Sequence, residues 1–449
     1  MSRTCLCLFV GLIVCFTAGN VYSQSYMSGT AESLVAVPPP TGNPMLQPMS
    51  IAEMGSPDKV FFPQVSNPQA YDTWVKQPFR MHQPDFLKCR GISVGGWIEQ
   101  GGTLNTRDPA DGFNGPIVTN DFADDYQLNQ AWIYLVRPAD NGGCGFAWGG
   151  RVDVTYGTDS RFGTNFGLET NINSPSNSYS LAIPQMYLEF AYNRLSIKLG
   201  HFAGILDYEA VPAPANPFYS HSLCYSYTVP QLVTGILGEY KLSDQLVLQA
   251  GMTRGWMMWE DMNHHMDVTG GIKWSSPSDL LSLGWAFEYG PQDPLGEQDK
   301  FASSLVAQLQ MTNRLRWVIV SNVGFTKNAC DNGTRDAEWY GINQYFLYKI
   351  NECLSLNTRF EWLRDDDGTQ VTGLGAALPG YNGWAGSGFA GDFFELTMGL
   401  NFKPNKNITV RPEVRYDWYN GLPGTGGQRP YGLTRDDQLT LAADVIFSF

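Results

Sequence analysis

Few residue types in this chain could do chemistry, and their spacing is the first question. Five histidines are present: His82, His201, His221, His264 and His265. Hydrolysis needs a nucleophile with a base in reach. His201 and His221 lie close in sequence to Asp207, Ser220 and Ser222, but loop hydrogen bonding accounts for them more simply. His264 and His265 are adjacent, and neighbouring residues rarely close a metal site around one ion. Asp365, Asp366 and Asp367 precede Gly368, and clustered carboxylates can hold calcium. The run lacks a glutamate at the EF-hand spacing, so a solvated loop is the better reading. No glycine-rich phosphate loop is present. The expectation is no catalytic residue, no metal and no cofactor.

The cysteines carry no zinc spacing. Of eight, Cys5, Cys7 and Cys15 fall in an N-terminal apolar run, leaving Cys89, Cys144, Cys224, Cys330 and Cys353. An odd count leaves at least one thiol unpaired, and Cys89 with Cys144 is the one pair placed to meet. Formal net charge is −14, which argues against nucleic-acid binding.

The first 23 residues read as a cleaved export signal. Arg3 supplies the positive region, residues 5–18 the apolar core, and Val21 and Ser23 the small-residue rule. The run is short for a membrane anchor, and Val14 is large for a lipoprotein cut before Cys15. No other run is long and apolar enough for a membrane helix. Yet the chain has 48 glycines, is 13% aromatic and only 16% charged, a low charge fraction for a soluble domain. A transmembrane barrel resolves this, because only every second side chain of each strand must face lipid.

Residues 24–88 hold ten prolines, including Pro38, Pro39 and Pro40. Proline at that density opposes both helix and sheet, so an extended, partly disordered periplasmic segment is expected, with Phe61, Phe62, Trp74, Phe79 and Phe86 available for packing. From residue 89 to 449 the chain alternates with period two over stretches of about ten residues, the length of a tilted membrane strand. In 408–418, Ile408, Val410, Val414, Tyr416 and Trp418 oppose Thr409, Arg411, Glu413, Arg415 and Asp417. That is a strand between lipid and water, with Pro412 suggesting a local bulge. Polar turns such as Asn193-Arg194 and Asn313-Arg314 alternate with longer loops at 257–266, 290–300, 327–338, 364–391 and 419–436. Sixteen strands result: 90–101, 127–137, 145–157, 181–192, 195–203, 229–242, 246–256, 267–276, 280–289, 301–312, 315–326, 339–350, 353–363, 392–403, 408–418 and 437–449. The fold class is therefore all-β, a transmembrane antiparallel β-barrel with an extended N-terminal segment. A barrel of this size keeps an aqueous lumen.

Several segments resemble the β-barrel porin type 2 family of outer-membrane proteins. They are LNQAWIYLVRPAD at 128–140, GRVDVTYGTD at 150–159, GHFAGILDYEAVPAPANPFYSHS at 200–222, FEWLRDDDGT at 360–369 and RPEVRYDW at 411–418. The resemblance implies a porin in the bacterial outer membrane, passing small hydrophilic solutes or ions by diffusion. The alternative is a non-conducting barrel that anchors the envelope. The terminal Phe449 resembles the C-terminal mark by which barrel-assembly machinery recognises such chains. Porins of this strand count are often trimers, which makes a homotrimer the assembly to test.

The alternation assigns Arg151, Asp153, Glu189, Lys198, Arg359, Glu361, Glu395, Arg411, Glu413, Arg415 and Asp417 to the lumen. Acids and bases on the inward faces balance, ten against ten, so weak selectivity is expected. The connection 204–228 is apolar and proline-rich for an exposed loop. It is expected to fold inward as a constriction, offering Asp207, Tyr208, Glu209 and His221 to the gap.

Overall fold

The computed structural model describes residues 79–449, except Asn332 and Pro379. The proposed signal and most of the proline-rich segment lie outside the described residues. Sixteen strands follow in order: β1 (Ser93–Asn105), β2 (Asp125–Arg137), β3 (Phe146–Gly157), β4 (Ser180–Tyr192), β5 (Leu195–Ala203), β6 (Leu232–Lys241), β7 (Leu246–Trp256) and β8 (Asp267–Ser275). Then come β9 (Leu281–Pro291), β10 (Asp299–Gln310), β11 (Leu315–Cys330), β12 (Arg335–Lys349), β13 (Leu354–Asp365), β14 (Gly391–Asn405), β15 (Ile408–Gly421) and β16 (Asp437–Ser448). Each pairs antiparallel with its sequence neighbours, and β1 pairs with β16 to close the barrel. Closure leaves no edge strand, so every wall amide can be satisfied without water.

Period-two alternation decides which side each residue takes. Ile98, Leu104, Leu188, Trp285, Leu396 and Tyr416 point outward and are exposed. An apolar surface this continuous needs lipid against it. Outward aromatics stack across strands, as in Phe394 on Trp418 at 5.1 Å and Phe301 on Phe325 at 5.5 Å. The inward partners, including Glu99, Arg359, Glu395 and Arg415, are buried.

Two expectations need correction. Pro412 causes no bulge. The β15–β16 pairing runs without a shift from Ile408↔Phe447 to Trp418↔Asp437. On the other side Gly399↔Glu413 and Phe402↔Val410 keep one register, and the shift falls later, between Phe402 and Asn405. Proline here leaves an unbonded stretch without adding a residue. The expected loop 327–338 is mostly strand, with the hairpin turning only between Cys330 and Arg335. Lys327 pairs with Asp299, and Arg335 with Asp331 and Asp367, so polar partners carry the two strands beyond the apolar band. The end of the proline-rich segment packs on the barrel, and Phe79, one of the aromatics available for packing, finds its surface there. Pro84 precedes a single helical turn, α1 (Asp85–Lys88), which proline allows at a helix start. The Phe79 backbone bonds Asn407 through both N–H (2.8 Å) and C=O (2.7 Å), and its ring meets Phe447. Gln83 clamps the backbone of Val94. Cys89 and Cys144 are both exposed with free thiols.

Candidate functional site: the lumen and its inserted loop

The connection between β5 and β6, residues 204–231, leaves the wall and crosses the lumen. Local chemistry stiffens it. Gly204 N–H donates to Gln231 C=O at 3.0 Å, pinching the base. The Asn216 side chain accepts from Ala210 N–H at 2.9 Å and donates to Ala210 C=O at 2.6 Å, stitching the middle. Ser222 caps a short helix, α2 (Leu223–Thr228), by accepting from Tyr225 N–H. Four prolines fix φ and reduce the entropy lost on ordering.

The wall charges receive this loop. Glu413 accepts from Tyr219 N–H at 2.9 Å and Ser220 N–H at 3.2 Å. Glu361 accepts from Leu223 N–H at 2.8 Å and Cys224 N–H at 2.5 Å, the free amides that begin α2. Arg411 donates to Ala213 and Asn216 carbonyls and pairs with Glu99 and Asp444. Arg415 donates to His221 C=O at 2.7 Å and pairs with Asp417 at 2.8 Å. Arg359 is the hub. It reaches Glu395 at 2.7 Å, Glu209 at 2.8 Å and the Ser220 carbonyl at 2.8 Å, with its side chain fully buried. Buried charges are costly unless partnered, and Arg359, Arg411 and Arg415 each find both carboxylates and loop carbonyls.

Of the loop residues expected at the gap, Glu209 is enclosed. It bonds His221 Nδ1 at 2.7 Å, the Tyr345 hydroxyl at 2.8 Å and Arg359. Asp207 accepts from Asn322 at 2.5 Å, and the Tyr208 ring lies 5.0 Å from Tyr345. On the far wall Arg151 pairs with Asp153 at 2.6 Å, and Glu189 accepts from Ser196 at 2.7 Å. Lys198 sits over the Tyr187 ring. His221 thus meets Glu209 and not Asp207. Ser220 Oγ accepts from Arg359 and Ser222 Oγ serves as the helix cap, so neither is presented to the imidazole as a nucleophile.

Wall glycines make room for the loop. A β-carbon at Gly101 would strike Tyr219, at Gly341 the Cys224 sulfur, and at Gly399 would press on Phe218. Three other connections also enter the lumen, a feature the alternation could not announce. Asn114 bonds Asn105, Asp159 accepts from Asn129 and Gln130, and Arg161 pairs with Asp121 at 2.6 Å and donates to the Asn382 carbonyl. Between these loops a cavity of about 20 Å³ remains, lined by residues including Thr119, Asp159, His221 and Tyr225. That holds about one water molecule.

The remaining candidates are structural. Asp365 accepts from the Thr369, Gln370 and Val371 amides, Asp366 pairs with Arg364, and Asp367 with Arg335. His264 N–H donates to Asp261, and His201 bonds Thr234. Among the described residues no group of three or more metal-ligating side chains is assembled.

Burial alone would raise the Glu209 pKa, but Arg359 and then His221 outweigh it, so Glu209 falls to about 2. Asp207 moves the opposite way, to about 6, through burial and the nearby Glu209 charge. The signs follow by linkage. Glu209 favours the docked loop above its ordinary pKa of 4.5, and this contribution is lost as pH falls toward 2. Asp207 favours it below 3.8, and its contribution is lost as pH rises through about 6. Acidification from neutral pH to about 5 should therefore tighten the loop, with loosening only as pH approaches about 2. Protease sensitivity of residues 204–231 against pH checks this. Cleavage that increases on going from pH 7 to 5 would contradict it, and Asp207→Asn should flatten the upper limb.

The fold and sequence both have relatives. The family described as "Putative beta-barrel porin-2, OmpL-like" matches residues 91–449. No curated protein is significantly similar to the chain in sequence. An anion-selective porin from Comamonas acidovorans superposes with a TM-score of 0.53 at 9% identity, covering 80% of this chain and 99% of that one. The outer membrane channel DcaP of Acinetobacter baumannii gives 0.49 at 14% identity, over 80% of this chain and 97% of that one. OmpT of Vibrio cholerae gives 0.49 at 10%, over 83% and 100%. The Comamonas porin supports a shared barrel fold, while the family match covers all sixteen strands. The chain belongs to the β-barrel porin-2 family of outer-membrane porins.

Proposed function

We propose that this porin passes small hydrophilic solutes passively, with residues 204–231 setting the width of the path. One observation carries the reading: the loop is bonded to the inward charges of β13 and β15 and to the Tyr345 hydroxyl of β12 through Glu209, Tyr219, Ser220, Leu223 and Cys224. A loop held at that many points is a fixed aperture. The paired serines and His221 support a channel without a reaction of its own. Export through a cleaved signal at 1–23, insertion by the barrel-assembly machinery through Phe449, and assembly as a homotrimer belong to the same reading.

A second reading is favoured by one feature. Inward residues toward the long-loop end, such as Asp153, Glu288, Trp339 and Asp417, are almost wholly buried. A barrel this full could serve as a closed anchor, joined to the envelope through residues 24–88. Planar-bilayer reconstitution separates the two. The porin gives discrete conductance steps, small for sixteen strands and weakly selective in dilute KCl because the wall charges balance. Silence from protein that keeps its heat-resistant folded form would favour the anchor, and clear anion preference would refute the balance.

A further inference from the structure

The arginine ladder is the obvious place to seek the charge filter, yet it has little access to solvent. The Arg359, Arg411 and Arg415 side chains are at most 2% exposed and are neutralised by carboxylates and loop carbonyls. The opposite wall differs. Near the short-turn ends of β4 to β8, Glu189, Lys198, Glu239 and Lys273 follow one another with alternating sign. Glu189 faces Lys198 directly across the β4–β5 ladder. Glu239 faces Gln249, which donates to it at 3.0 Å. Lys273 lies 3.9 Å from Glu239, and these two side chains are 24% and 21% exposed. Next in the row is Gly284, paired with Lys273. A β-carbon built on Gly284 meets nothing within 4 Å. The inward glycines under the loop, Gly101, Gly341 and Gly399, have no such space. The open part of the lumen is therefore eccentric, against β6 to β9.

We infer that solutes enter along this wall, and that Glu239 and Lys273, beside the open space at Gly284, form the filter that sets ion selectivity. This rests on the porin reading and assigns its selectivity to a place. Exposed charges act on ions in the path, whereas a buried, compensated pair presents almost no field there. Acids and bases alternate in the row, so it accommodates solutes carrying both signs, or none, better than polyanions or polycations.

The test is the reversal potential of single barrels in a dilute KCl gradient. Lys273→Glu should move it toward cations and Glu239→Lys toward anions. Either change also breaks the 3.9 Å pair, so a second set places charge in empty space: Gly284→Glu toward cations and Gly284→Lys toward anions. Folding is checked by heat-modifiable migration. Opposite shifts within each pair support the inference. Conducting, folded variants with the wild-type reversal potential would overturn it while leaving the porin reading intact. Folded wild-type protein that never conducts would overturn both.

Discussion

Deleting residues 208–219 is expected to raise single-channel conductance several-fold and to admit larger sugars in liposome swelling. The deletion removes Glu209, Phe218 and Tyr219, and with them the salt bridge to Arg359, the packing beneath Gly399 and an amide held by Glu413. The loop joins two strands that already pair with each other from Leu195↔Tyr240 to Ala203↔Leu232, so shortening it need not disturb the wall, and loop length itself costs little. Charges left behind would face water, which is tolerable, since desolvation is what makes them costly. The milder variant Arg359→Met keeps the loop but leaves Glu209 and Glu395 short of their shared cation. Removing one partner from a buried pair costs about 3–5 kcal/mol, enough to loosen the loop and make conductance noisy. A folded deletion variant with unchanged conductance would show that the loop does not set the aperture.

Deleting Phe449, or Phe449→Asp, is expected to remove most of the heat-resistant barrel from the outer membrane. Two causes act together. Phe449 closes the seam: its N–H donates to Gly96 C=O at 2.9 Å and its C=O accepts from Gly96 N–H at 3.1 Å. Its ring lies over Gly96, where a β-carbon would come within 2.9 Å of it, and packs near Phe447 at 6.1 Å. The second is the proposed recognition of Phe449 during insertion, for which an aspartate offers no apolar ring. Refolding purified protein in detergent separates them. A variant that refolds normally in vitro yet is depleted in cells has lost recognition, whereas one that fails in both has lost the seam. Normal membrane levels of the deletion would remove Phe449 from both roles.

Much was legible in the sequence because a barrel wall is a local code. Each strand needs only a period of two and a turn at each end, and both are written in consecutive residues. The alternating stretches 246–256 and 195–203 coincide with β7 and β5 at both ends, and the inward positions of Arg359, Glu361, Arg411 and Asp417 follow from alternation alone. The proline-rich, apolar character of 204–228 likewise marked a loop that needs a surface to pack on.

What those inward charges face was not local. Alternation places Arg411 and Arg415 on the lumen side whether the lumen holds water or protein. Only the folded chain brings Ala213, Asn216 and His221 carbonyls against them, across nearly two hundred residues of sequence. The same holds for Gln438 with Asn114, for Arg161 with the Asn382 carbonyl, and for Asn407 clasping Phe79. Period and turn chemistry determined the sixteen strands and their two faces. Tertiary structure decided how much of the lumen is filled and which wall stays open, because a side chain's direction is set by its own backbone while its partner is set by whatever the closed barrel brings opposite.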